Sequence, residues 1–167
     1  EQGTPLADSL GIESDVLYDL EVNPNRPDAM AVAGVARDLA AYQKIPFKIP
    51  VPKVSEKGKD VSEILKAEII SPDLCGRFAV RVIDGISIQD SPQWLKNRIT
   101  ALGMRPVNNV VDVSNYVMLE LGQPSHTFDL GCVTGSEFKV RWAADGEEIV
   151  TLDGVARSLT EQDGVVA

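Results

Sequence analysis

The chain has 167 residues, a formal net charge of −9 and a hydrophobic fraction of 44%. This length suits one ordinary domain or one domain with part of another, and the composition is typical of a globular core. No apolar run approaches the roughly 20 residues that cross a bilayer, and no basic segment precedes an apolar stretch as in a secretory signal. We therefore expect a cytoplasmic protein without a membrane partner.

The negative charge is unevenly distributed along the chain. Residues 74–142 contain seven Lys and Arg against six Asp and Glu, whereas the remainder contains nine against nineteen. The overall charge argues against a protein that coats nucleic acid in general. Any RNA contact is predicted in the middle segment, where the repulsion of phosphate is weakest.

Cysteine and histidine are scarce. Cys75 and Cys132 are the only cysteines, and His126 is the only histidine. These residues lack the number and the spacing of a disulfide framework or a zinc site. We predict two reduced thiols and no metal site.

A strand and a helix are predicted near the N-terminus. Tyr18–Val22 alternates between polar and apolar residues, which is typical of a strand. Pro27 suits the first turn of a helix, and apolar residues then recur at helical spacing as far as Gln43. Gly34 lies within this helix at a cost of about 1 kcal/mol relative to alanine, which suggests that another element packs closely against it.

An extended connection is predicted after this helix. Residues 45–60 are rich in proline and in charged residues, which is typical of a linker. We therefore predict three segments, namely a first unit at 1–47, a linker at 48–62 and a second unit at 63–167.

The second unit is predicted to begin with two strands and a helix. Leu65–Ile70 and Arg77–Ile83 are rich in apolar and β-branched residues. Ser91 supplies a capping hydroxyl, Pro92 suits the first helical turn, and Gly103 is a natural C-terminal stop. The buried stripe of this helix is predicted from residues at helical spacing: Leu95, Ile99 and Leu102.

A further helix and three strands complete the predicted elements. Asp112 is predicted to cap a helix over Val113–Leu121, which should be buried because it is apolar nearly all round. The predicted strands are Glu137–Trp142, Glu148–Leu152 and Val155–Leu159, and the last two flank the hairpin turn Asp153-Gly154. Helices and strands alternate without regular βαβ units, so the fold class is predicted as α+β.

Two long motifs carry a family resemblance. The segment Asn23–Asp28, followed by Gly34–Ala41, resembles a motif in the β subunit of bacterial phenylalanyl-tRNA synthetase. The segment Gly103–Asp129 resembles the B3/B4 module of that subunit almost position by position, and the hairpin Thr151–Gly154 also fits. Only small departures are visible, at Ser125 and at the residue after His126.

The resemblance implies a place in a larger enzyme. Residues 1–47 would be the end of the helical B1 module, and 63–167 the front part of a B3/B4 module of helices and antiparallel sheet, truncated at its C-terminus. The family's enzyme is an α2β2 heterotetramer that joins phenylalanine to tRNA(Phe) with ATP and Mg²⁺. Its aminoacylation site lies in the α subunit, so no cofactor is expected in this fragment.

The resemblance also implies a site for editing, the hydrolysis of tyrosine wrongly attached to tRNA(Phe). It assigns His126 and Arg105 as catalytic, and the residues that line the pocket for the 3′ end of the tRNA as Pro124, Asn108, Asn109 and Gln123. From the residues alone, a structural role is more typical of a single histidine such as His126, Arg105 is compatible with a solvated cation, and Pro124 is more typical of a rigid turn. A Ser125–His126 nucleophile pair is rejected because neighbours in an extended chain point to opposite faces.

Two readings of function remain open. In the first, this region contributes to the editing site, and in the second it is a structural, tRNA-contacting module that has lost editing. The family's acidic residue that recognises the tyrosine hydroxyl is expected beyond residue 167. We therefore expect the isolated fragment to edit poorly or not at all.

Overall fold

The computed structural model describes residues 3–10 and 16–167. The chain divides into two compact units, and each unit draws on two stretches of sequence. The first contains residues up to Val51 together with Ile88–Thr127, and the second contains Pro52–Ser87 together with Phe128–Ala167. The predicted division into family modules at 1–47, 48–62 and 63–167 stays a prediction.

The described residues form an α+β fold, as predicted. The α-helices are α1 (Leu6–Ser9), α2 (Val32–Gln43), α3 (Gln93–Ala101) and α4 (Asn109–Leu121). The strands are β1 (Lys66–Ile69), β2 (Glu137–Trp142), β3 (Glu148–Val150), β4 (Ala156–Ser158) and β5 (Gly164–Val166). Short 3₁₀ turns lie at Pro27–Met30, Val61–Glu63, Leu130–Cys132 and Thr134–Ser136. Within the described ranges, every helix is too short or too polar to cross a membrane.

Helices α2, α3 and α4 build the first unit. Helix α4 packs against both α2 and α3, and the 3₁₀ turn at Pro27–Met30 packs against α2. Leu95 and Ile99 of α3 are fully buried, which confirms most of the predicted stripe, whereas Leu102 is 45% exposed. The predicted end of α2 at Gln43 is confirmed, and Lys44 then closes the helix in the left-handed region. The prediction that α4 is buried all round is wrong, because Asp112 is its only fully buried residue.

An ionic cluster holds the segment before α2. The guanidinium of Arg26 donates to both carboxylate oxygens of Asp28, at 3.0 and 2.9 Å, and also to Asp38. Arg37 donates to Asp28 from the first turns of α2. The bond from Arg26, supported by the one from Arg37, lowers the pKa of Asp28 to about 2.

Gly34 lies where the 3₁₀ turn at Pro27–Met30 contacts α2. This confirms the close approach that was predicted from the unfavourable helix propensity of glycine. A Cβ atom at this position would lie 1.8 Å from the carbonyl oxygen of Asp28, so only glycine fits. The two halves of the Asn23–Asp28 and Gly34–Ala41 motif are therefore one packed structure.

The second unit contains a three-stranded sheet in the order β1-β2-β5 and the separate hairpin β3-β4. Strand β1 pairs with β2 in parallel, from Lys66 opposite Glu137, and β2 pairs with β5 in antiparallel orientation. The hairpin over the Asp153-Gly154 turn is confirmed. Phe138 of β2 is buried and contacts the rings of Phe78 and Phe128 at centroid distances of 6.2 and 4.9 Å.

Two predicted strands are wrong. Neither Tyr18–Val22 nor Arg77–Ile83 forms a strand with any described residue. A strand exists only when its backbone pairs with another, and alternation or β-branched composition does not supply that partner. Tyr18 is 77% exposed, so alternation in that segment does not reflect a buried face.

The predicted N-caps of α3 and α4 are also wrong. Pro92 occupies the N-cap position of α3 without a side-chain hydrogen bond, and the hydroxyl of Ser91 instead bonds to Asp112. Helix α4 begins at Asn109, and Asn108 is its cap. Ser91 and Asp112 do not cap the two helices because their side chains bond to each other.

Substitution of Gly34 tests the close approach of the 3₁₀ turn. We expect Gly34→Ala to destabilise the chain by about 2 kcal/mol, because overpacking costs up to ~3 kcal/mol and better helix propensity returns ~1 kcal/mol. Urea unfolding measures the difference. The control is Gly76→Ala, whose Cβ would meet nothing within 4 Å. Equal unfolding midpoints for the two variants would contradict the close contact.

The pH dependence of stability tests the ionic cluster. The pKa of Asp28 in the folded chain, about 2, lies below the ordinary value of 3.8, so its stabilising effect is complete above that value. Asp28→Asn should therefore unfold at lower urea concentration than the wild type at pH 7. The difference should shrink as the pH falls from about 4 to about 2 and the carboxyl becomes protonated. A pH-independent difference, or an equal loss in the exposed Asp19→Asn control, would exclude the ionic explanation.

Candidate functional site

The predicted catalytic residue Arg105 lies on a loop that begins at a tightly closed helix end. Gly103 adopts φ +80°, and its N–H donates to the carbonyl of Thr100 at 3.0 Å. The N–H of Met104 donates to the carbonyl of Ile99 at 2.9 Å. These two bonds form a Schellman motif, which fixes the backbone entering the loop. The side chain of Arg105 is exposed.

The same loop ends in a capped helix. The side-chain oxygen of Asn108 accepts hydrogen bonds from the N–H groups of Val110 and Val111, both at 3.0 Å. These are two of the donors that every helix leaves unsatisfied at its N-terminus. Asn108, predicted as a pocket residue, therefore has a structural task in its carbonyl oxygen.

Asn109, also predicted as a pocket residue, fastens α4 to the segment before α3. Its backbone N–H donates to the carbonyl of Gln89 at 2.9 Å, and its side-chain oxygen accepts from the N–H of Gln89 at 3.0 Å. This reciprocal pair satisfies the backbone of Gln89 in both directions.

Asp112 has no exposed surface, and both of its oxygens accept hydrogen bonds. Oδ1 accepts from the backbone N–H of Val107 at 2.8 Å, and Oδ2 accepts from the hydroxyl of Ser91 at 2.5 Å. A buried carboxylate is costly unless its oxygens are paired, and the nearby N-terminus of α4 favours negative charge. Asp112 thereby connects α4 to the loop of Arg105 and to the start of α3.

The other predicted site residues follow the C-terminus of α4. Gly122 ends the helix at φ +78°, and its N–H donates to the carbonyl of Met118 at 2.8 Å. The side-chain amide of Gln123 donates to the carbonyl of Pro124 at 3.2 Å. Gln123, Pro124 and His126 are all exposed.

The six predicted site residues thus form two groups at opposite ends of α4. Arg105, Asn108 and Asn109 lie at its start, and Gln123, Pro124 and His126 follow its end. Helix α4 has 13 residues and therefore spans roughly 20 Å.

An aromatic and cationic cluster joins the exposed sides of α3 and α4. The rings of Trp94 and Tyr116 meet edge to face with centroids 5.6 Å apart. Arg98 donates to the hydroxyl oxygen of Tyr116 at 2.9 Å, and its guanidinium lies 5.7 Å from the Trp94 ring centroid. This cluster fixes α3 against α4 on the side where the helices face solvent.

The second unit has two open hollows among its described residues. One is lined by residues of β1, by two residues of the segment before it and by Glu137. The other is an apolar hollow between β2, β5 and the segment at Leu74 and Cys75. Neither is lined by any of the six predicted site residues. Within the described ranges, no three His, Cys, Asp or Glu side chains are grouped to hold a metal ion. Cys75 is a half-buried free thiol, and Cys132 is an exposed one.

Sequence reasoning missed the tethers that hold the Arg105 loop. The signal for Asp112 was an acidic residue on an otherwise apolar helix, which is costly unless a buried partner exists. The partner Ser91 lies 21 positions earlier. Nothing in the local sequence identifies it.

Comparison with known proteins agrees with the resemblance noted in the sequence. A sequence model of the B3/4 domain matches residues 74–167. The phenylalanine–tRNA ligase beta subunits of Anaeromyxobacter dehalogenans and Moorella thermoacetica are each 44% identical to this chain over 165 residues. These alignments cover 99% of this chain and 20% of each relative. The corresponding subunit of Dehalococcoides mccartyi strain 195 is 47% identical over 161 residues, which cover 92% of this chain and 20% of the relative.

The matches cover most of this chain but only part of each relative. The chain spans about a fifth of the length of the curated relatives it matches. The predicted resemblance to the β subunit family is confirmed, and the domain match covers more than half of the chain, including every predicted site residue. The chain therefore belongs to the B3/4 domain family.

Proposed function

We propose that this chain is a segment of a phenylalanine–tRNA ligase β subunit and contributes to a site that hydrolyses tyrosine from mischarged tRNA(Phe). The observation that carries the proposal is the similarity to such subunits over 99% of the chain, at 44% identity. The matched B3/4 domain includes Arg105 and His126. The residues 1–47 would then belong to the B1 module.

The proposed partners follow from this assignment. The complete protein would assemble with an α subunit as an α2β2 heterotetramer in the cytoplasm and would bind tRNA(Phe). Charging would use ATP and Mg²⁺ at the α subunit. Among the described residues of this chain, no acidic or histidine cluster suits a metal ion, so no step of our mechanism involves the metal.

A second, hydrolytic site is needed because tyrosine differs from phenylalanine by one hydroxyl group. An apolar pocket rejects an added hydroxyl only weakly, by roughly 10²-fold. A site with a polar partner for the phenol selects tyrosine more strongly, since phenylalanine would leave that buried partner unpaired.

The proposed reaction is hydrolysis of the ester between tyrosine and the terminal ribose. Water adds to the ester carbonyl, the C–O bond to the ribose breaks, and the products are free tyrosine and a ribose hydroxyl. Such a reaction needs an oriented water and stabilisation of the charge on the carbonyl oxygen. We assign the orientation of the water or ribose to His126, and to Arg105 the contact with the anionic 3′ end that orients the ester for reaction.

The positions of Arg105 and His126 before and after α4 are compatible with these two roles. Arg105 is exposed on a loop fixed at both ends, so a phosphate would meet a guanidinium whose backbone is already ordered. His126 is exposed beyond the other end of the helix. The 3′ end of the tRNA would therefore lie along α4 in this proposal.

The alternative is a structural, tRNA-contacting module that has lost editing. It is favoured by the hydrogen bonds of Asn108 and Asn109, two predicted pocket residues whose side-chain oxygens accept from backbone N–H groups. Substitutions in the complete enzyme distinguish the two functions.

Substitution of His126 and Arg105 tests the editing role. In the complete α2β2 enzyme, we expect His126→Ala and Arg105→Ala each to slow deacylation of Tyr-tRNA(Phe) by about 100-fold, because each removes a group that orients or stabilises the reacting ester. Charging of phenylalanine should stay within twofold. The control is Arg77→Ala, which removes an exposed cation from the second unit. Unchanged deacylation in both site variants would favour the structural module.

A comparison of the isolated chain with the complete enzyme tests whether this region suffices. The chain spans about a fifth of the length of the relatives it matches. We propose that the acidic residue that recognises the tyrosine hydroxyl lies outside residues 1–167. We expect the isolated chain to hydrolyse Tyr-tRNA(Phe) at least 100-fold more slowly than the complete enzyme, since an unrecognised tyrosine is poorly oriented. Comparable rates at equal protein concentration would show that residues 1–167 hold the complete site.

A further inference from the structure

We propose that Asp112 is a positioning residue for Arg105, an inference that rests on the proposed editing function. Asp112 does not reach solvent, so it does not contact a substrate itself. It acts through the hydrogen bond that its Oδ1 atom accepts from the backbone N–H of Val107. Val107 lies two residues after Arg105 on the same loop.

The loop has one anchor on each side of Arg105. On the N-terminal side, the N–H of Met104 donates to the carbonyl of Ile99 at 2.9 Å. On the C-terminal side, the N–H of Val107 donates to Asp112 at 2.8 Å. Only Arg105 and Pro106 lie between the anchors, and the ring of Pro106 fixes its own φ. Loss of the second anchor therefore frees the backbone that carries the guanidinium.

An apolar residue would fill the space of Asp112 without the cost of burying a carboxylate. What the carboxylate supplies is a pair of oriented acceptors, one for the loop and one for Ser91 at the start of α3. These two contacts are separable by mutation. Ser91→Ala removes the contact to α3 and keeps the bond to Val107, whereas Asp112→Leu removes both.

Asp112→Asn retains the hydrogen bond from the N–H of Val107, on which this proposal depends. The asparagine oxygen can accept from the N–H of Val107, and its amide can donate to the hydroxyl of Ser91, which rotates to accept. Asparagine at this position should therefore rescue the loop, and leucine should not. In the double variant Ser91→Ala/Asp112→Leu, no serine hydroxyl remains buried without a partner, so folding is less affected.

The test uses the complete α2β2 enzyme and three measurements. These are kcat and KM for deacylation of Tyr-tRNA(Phe), charging of phenylalanine, and amide hydrogen exchange in the peptide 104–109. We expect Asp112→Leu to lower kcat for deacylation by about 100-fold, because a small displacement of a catalytic group has this effect. KM and charging should stay within twofold, and exchange in the peptide should accelerate. Asp112→Asn should retain most of the deacylation, and Ser91→Ala should match the wild type.

The possible outcomes separate this inference from the proposed function. If the wild type does not hydrolyse Tyr-tRNA(Phe), the proposed function fails. If the wild type is active and Asp112→Leu hydrolyses equally well, only the role of Asp112 is overturned. A parallel loss of deacylation and charging in Asp112→Leu and Ser91→Ala would show a purely structural role, which also overturns it. Where Asp112→Leu does not assemble, the double variant is measured in its place and judged by the same outcomes.

Discussion

The carboxylate of Asp112 connects three stretches of the first unit: α4, the loop before it and the segment before α3. It belongs to α4, it accepts from the loop that follows α3, and it accepts from Ser91, two residues before α3. Burial of a charge is tolerable only because both oxygens are paired and the positive end of α4 is near. The fully buried apolar contribution of α3 is limited to Leu95 and Ile99. The contacts of Asp112 and the cluster of Trp94, Arg98 and Tyr116 therefore both help to determine how α3 meets α4.

The elements that could be predicted from sequence are those whose position is set by the backbone preference of a single residue. Gly103 ends a helix at positive φ, and the Asp153-Gly154 turn closes a hairpin, as expected. The errors arise where a distant partner decides. Arg77–Ile83 has strand composition but no pairing strand among the described residues, and Ser91 binds Asp112 instead of capping its helix.

The family resemblance supplies the proposed members of the candidate site, but not their arrangement. Asn108 and Asn109 were expected only as pocket residues, yet both have oxygens that accept backbone N–H bonds. Their first effect is to define where α4 starts, and through that the end of the Arg105 loop. Residue type and spacing do not reveal this, because the same asparagine can bind a ligand or cap a helix.

The N-terminal motif and the corner that carries His126 are also physically connected. A Cβ atom on Gly122 would lie 3.2 Å from the Cβ atom of Ala31, the residue that links the 3₁₀ turn to α2. The 3₁₀ turn is itself held by the contact of Gly34 and by the pairing of Arg26 with Asp28. The first motif therefore packs against the end of α4, after which the chain continues to His126. The two motifs of the resemblance are therefore one structure, in which the first supports the position of the second.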